Sequence, residues 1–132
     1  MKSNYDLLLS SILYGIAGVG LIFMPVEIAS AVGQDVSGFL VWALQSLGAA
    51  YLGVAWINFM NKHAPLGGIY GRPVLMLNVM LASPSLFFSY DLMDKYPEQP
   101  AFLGLTVVFG LLTAAFLRRL LGKSPMAEPA AE

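Results

Sequence analysis

Cysteine is absent from this chain, and histidine occurs once, at position 63. Without thiols there can be no disulfide, no thiol relay, no iron–sulfur cluster and no thiolate metal ligand. One histidine in a Gly- and Pro-rich connection supplies neither paired haem ligands nor a protein-only zinc site, so His63 reads as a solvated loop residue. No metal and no cofactor is expected. Charge is equally scarce: 11% of residues are Asp, Glu, Lys or Arg and the net charge is −1, where an average soluble domain is about 25% charged. The largest basic cluster, Arg118, Arg119 and Lys123, offers no footprint for nucleic acid. Gly67, Gly68 and Gly71 lack the spacing and the lysine of a phosphate-binding loop. No nucleophile, base and orienting group stand together, so no catalytic residue and no enzymatic activity are expected.

What the chain does have is apolar length. Four uncharged runs, Leu7 to Val26, Val36 to Asn61, Pro73 to Tyr90 and Gln99 to Leu117, account for most of the 132 residues, and 58% of all residues are hydrophobic. The mean hydropathy is +0.71. A helix needs about 20 mostly apolar residues to cross the roughly 30 Å hydrocarbon layer, and each run is at or near that length. The expected fold is all-α, an integral membrane antiparallel four-helix bundle in one domain, residues 1–123, with spans near 5–24, 38–61, 73–92 and 101–121. Residues 124–132, small and polar, read as a disordered tail. Membrane lipid is the first partner such a chain implies. Lys2, the apolar stretch after it and Ala29-Ser30-Ala31 imitate a cleavable signal peptide. The first run is longer than a signal core of about 7–15 residues and Asp6 interrupts the basic region, so the span is expected to be retained.

Charge sets the expected topology. Basic residues near span ends stay on the cytoplasmic side. With the N-terminus inside, six of the seven basic residues (Lys2, Lys62, Arg72, Arg118, Arg119, Lys123) lie inside and only Lys95 lies outside. Five of the eight acidic residues, Glu27, Asp35, Asp91, Asp94 and Glu98, fall on the outer face. A plasma membrane location, the inner membrane of a bacterium, with both termini cytoplasmic is the expectation.

Punctuation places the elements. Pro25 ends the first span and opens a short interfacial turn of helix, with Glu27 at its positive end and Gly33 just past it. Trp42 and Trp56 suit the two interfacial belts of the second span. Pro84, between Ser83 and Ser85, removes a backbone hydrogen bond inside the third span, where a kink is expected and the Met80 carbonyl loses its usual partner. Pro100 fits the first turn of the fourth span. Helix contacts in lipid favour small residues that let backbones approach. The candidates are Ser11, Gly15 and Gly18, then Ala49 and Gly53, then Thr106, Gly110 and Ala114. They serve internal packing or self-association alike, so the oligomeric state stays open.

Polar groups within the spans are the places to look for a site. Gln45 and Ser46 on the second span and Ser83, Ser85, Ser89, Tyr90 and Asp91 on the third form an outer group. If the faces carrying Gln45 and the pair Ser85 and Ser89 meet, they line a cleft beneath the outer loops. The plainer reading is that these side chains only hydrogen-bond between helices, and that Asp91 reaches to water at a helix end. An inner group comprises Asn78, placed to bond the second span, and Asn58 and Asn61, expected to be wet at the interface.

The segments GVGLIFMP, QSLGAAYLGVAWINF and RPVLMLNVM, in the first, second and third spans, resemble the small four-helix proteins of the broad DoxX-like group. The resemblance implies a compact antiparallel four-helix bundle. Some members of that group are associated with quinone-linked redox systems or with chaperoning other membrane proteins, but no residue here carries either role over. Small multidrug exporters hold a glutamate inside their first helix, whereas this first span reads SSILYGIAG with no acid. Fluoride channels of similar length usually insert in both orientations, against the charge bias above. Two functional readings follow. The first is a non-enzymatic accessory or interaction subunit whose partner is another membrane protein. The second is a small transporter or hydrophobic-ligand-binding protein with an outward-facing cleft between the second and third spans.

Overall fold

The computed structural model describes residues 4–64 and 71–122, and every regular element among them is helical. They are α1 (Tyr5–Phe23), α2 (Pro25–Ala31), α3 (Gly38–Met60), α4 (Gly71–Lys95) and α5 (Pro100–Leu121). Lys2, Gly67, Gly68, Lys123 and the tail at 124–132 lie outside the described residues.

Local chemistry accounts for the ends. Met24 closes α1 through its N–H to the Gly20 carbonyl, and Pro25 at the next position opens α2, where its missing N–H has no intrahelical partner to lose. The exit from α2 is a Schellman motif: the N–H of Gly33 donates to the Ser30 carbonyl at 3.0 Å and that of Gln34 to the Ala29 carbonyl at 3.0 Å. Gly33 has φ of +72°, a left-handed conformation that disfavours a side chain. Ser37 caps α3 by accepting from the Leu40 N–H at 3.1 Å. Pro100 stands in the first turn of α5, and Arg118 and Arg119 in its last turn meet the negative end of the helix dipole.

The chain forms two compact units, residues 1–62 and 63–132. In the first, α1 and α3 pack as an antiparallel pair, with α2 tucked against both. Its register is read from contacts that descend α3 as they ascend α1: Asn4 with Lys62, Ser11 with Ala55, Gly18 with Gly48 and Ile22 with Gln45. In the second unit α4 packs along α5. There Tyr96 stands on Phe102, ring centroids 6.0 Å apart, and Leu86 meets Gly110 farther along.

Four helices, α1, α3, α4 and α5, are long and apolar enough to cross a membrane. At 19, 23, 25 and 22 residues and about 1.5 Å per residue, each matches or exceeds most of the hydrocarbon thickness. Only 22–28% of each apolar window is buried within the chain. Leu9, Ile16, Phe23, Phe39, Met80, Phe87 and Leu111 are exposed, an arrangement water would penalise and lipid tails accept.

Candidate functional site

The first unit is joined by hydrogen bonds between helices. The Ser11 hydroxyl donates to the Ala55 carbonyl at 2.8 Å. One turn farther along α3, Asn58 Nδ2 donates to the Oγ of Ser10, the neighbour of Ser11, at 2.9 Å, and that hydroxyl donates in turn to the Leu7 carbonyl at 3.1 Å. Ser10 and Asn58 are fully buried. Asn58 therefore differs from the wet interfacial residue its place near the end of α3 suggested: the face it occupies, and not its depth, decides its environment. Asn61 does lie at the helix end, donating to the Ile57 carbonyl at 2.8 Å.

Farther along the same seam the backbones approach. A Cβ on Gly18 would stand 2.8 Å from the Gly48 carbonyl oxygen, and one on Gly48 would stand 2.8 Å from that of Gly18. Gly15 faces Ala55 at ordinary contact distance, while Gly53 has open space and Ala49 is exposed. Tyr14 lies between these two regions, its ring 5.5 Å from that of Tyr51. It is buried, and its hydroxyl has no hydrogen-bond partner among the described residues.

Of the outer group, Gln45 and Ser46 belong to the first unit and are exposed. Gln45 Nε2 donates to the Ile22 carbonyl at 3.2 Å, which ties α3 to the end of α1. Ser83, Ser85, Ser89 and Asp91 belong to the second unit. Ser83 Oγ donates to the Val79 carbonyl at 2.5 Å and Ser85 Oγ to that of Leu81 at 2.7 Å, so both hydroxyls flanking Pro84 turn back on their own helix. α4 continues as a helix through Pro84. Ser89 is buried, and Asp91 pairs with Lys95 at 2.7 Å on the exposed side. Asn78, also fully buried, donates to the Val74 carbonyl at 2.8 Å, and Thr106 to that of Phe102 at 2.8 Å.

Recesses open on the described residues of the second unit. One, of about 400 Å³, runs along α4 past Ser83, Leu86, Phe87 and Tyr90. Another, of about 560 Å³, lies where α4 turns into α5, between Met93, Asp94, Pro97, Glu98, Gln99, Pro100 and Leu103. In the sequence Asp94 and Glu98 stand out only as charges that bear on topology. The signal that could have singled them out is their place in a connection with prolines on both sides, DKYPEQP. The close approach falls at Gly48, beside the expected Ala49 and Gly53.

Chemically, the described residues offer donors and acceptors engaged along helices and helix pairs. No three of their His, Asp and Glu side chains gather as a metal-binding group. These features define a small multi-pass membrane protein, all-helical in its described parts. Compared with known proteins, the chain matches no family model, no curated protein and no solved structure.

Proposed function

We propose that this protein is a non-enzymatic accessory or interaction subunit of a membrane system, held in a plasma membrane with both termini on the cytoplasmic side. The observation that carries the reading is the disposition of its apolar surface. Three quarters or so of each apolar window is left uncovered by the chain itself, while polar side chains within the spans bond along the helices and between α1 and α3. A surface of that kind offers broad side-chain contact to lipid and to other spans.

The test is site-specific photocrosslinking in native membranes, with a photoreactive residue at exposed Trp56, Phe87 or Leu111 and, as controls, at buried Leu75 or Leu112. The expected result is one recurrent protein adduct at a contiguous subset of the exposed positions and none at the buried ones. Lipid adducts alone at every position, with a purified monomer that turns over a lipid, overturn the reading. Topology is tested in the naturally cysteine-free chain by single substitutions Lys62→Cys and Asp94→Cys. An impermeant thiol reagent should reach them from opposite sides, and labelling of both from one side refutes the orientation.

A further inference from the structure

We draw no further inference here: the strongest candidate, the exposed face of α3 on which Ser46, Ala49 and Gly53 lie between Trp42 and Trp56, is a stripe of small residues on an apolar helix, and nothing in the structure shows what covers it.

Discussion

The two helix pairs use the same small vocabulary of Ser, Asn and Gly to different ends. In the first unit those residues face across the pair: Ser11 reaches Ala55, Asn58 reaches Ser10, Gln45 reaches Ile22, and Gly18 meets Gly48 backbone to backbone. In the second unit the hydroxyls of Ser83, Ser85 and Thr106 turn back to the carbonyl four residues earlier, and a Cβ on Gly110 would meet the Leu86 side chain at an ordinary 3.6 Å. Apolar side chains such as Leu75, Phe102, Leu112 and Phe116 form the buried part of that unit instead. Since lipid solvates leucine about as well as a neighbouring helix does, close backbone approach and interhelical hydrogen bonds specify partners more sharply than apolar contact. The first unit is thus fixed in register, while the second owes more to side-chain fit and to its short, braced connection.

The contrast is broken most directly at Gly48. Gly48→Ala places a methyl 2.8 Å from the Gly18 carbonyl oxygen and 2.9 Å from Leu21 and Ile22 side-chain carbons, so α1 and α3 must separate. A loss of about 3 kcal/mol is expected, at the upper end of overpacking costs, read as the shift in unfolding free energy in mild detergent titrated with a denaturing one. Gly53→Ala, on the open side of the same helix, should instead gain up to about 1 kcal/mol from helix propensity. Equal effects at the two sites would dissolve the claim that the first unit is register-locked.

Next in size is Asn58→Ala. Removing a fully buried amide that bonds Ser10 should cost about 1–2 kcal/mol, combining the lost bond with the small cavity. A double-mutant cycle with Ser10→Ala isolates the share carried by that contact, and a coupling below about 0.3 kcal/mol would remove it from the account.

These two sites also show how far the sequence could be read. The spans expected at 5–24, 38–61, 73–92 and 101–121 appear as α1, α3, α4 and α5 within a few residues, because run length, proline and glycine act locally. The short helix at Pro25–Ala31 and the turn at Gly33 were legible for the same reason. Which face of a span meets its neighbour was not legible. In a helix apolar all round, periodicity carries no inward direction, and QSLGAAYLG places small residues on several faces at once. Gly48 and Gly53 look equivalent until α1 is in place, and Asn58 looks wet until Ser10 is seen beside it. The recess at Asp94 and Glu98 depends on how a turn folds, which charge counting does not reach.

Among the described residues, two buried hydroxyls have no hydrogen-bond partner, Tyr14 in the first unit and Thr113 in the second. An unsatisfied buried hydroxyl costs free energy that an apolar replacement of the same shape recovers. Tyr14→Phe and Thr113→Val are therefore expected to be neutral or to stabilise by up to about 1 kcal/mol, measured in the same unfolding assay. A loss above about 1 kcal/mol at either site would mean that the hydroxyl does have a partner in the membrane, and at Tyr14 that partner would add to what holds the first pair together.

The smallest expected effect is the most direct comparison, because it changes the same atom in both units. Ser11→Ala deletes a hydroxyl that bridges α1 to the Ala55 carbonyl on α3, and interhelical bonds of this kind average about 0.6 kcal/mol in membranes. Ser85→Ala deletes a hydroxyl that returns to Leu81 on its own helix, a bond that holds no second helix and slightly strains the first. The expected outcome is a loss of about 0.6 kcal/mol for Ser11→Ala and about zero for Ser85→Ala, resolved by replicate unfolding titrations. A difference this small decides the point because its sign follows from where the hydroxyl points: equal losses would mean that the serines flanking Pro84 hold α4 against something besides itself.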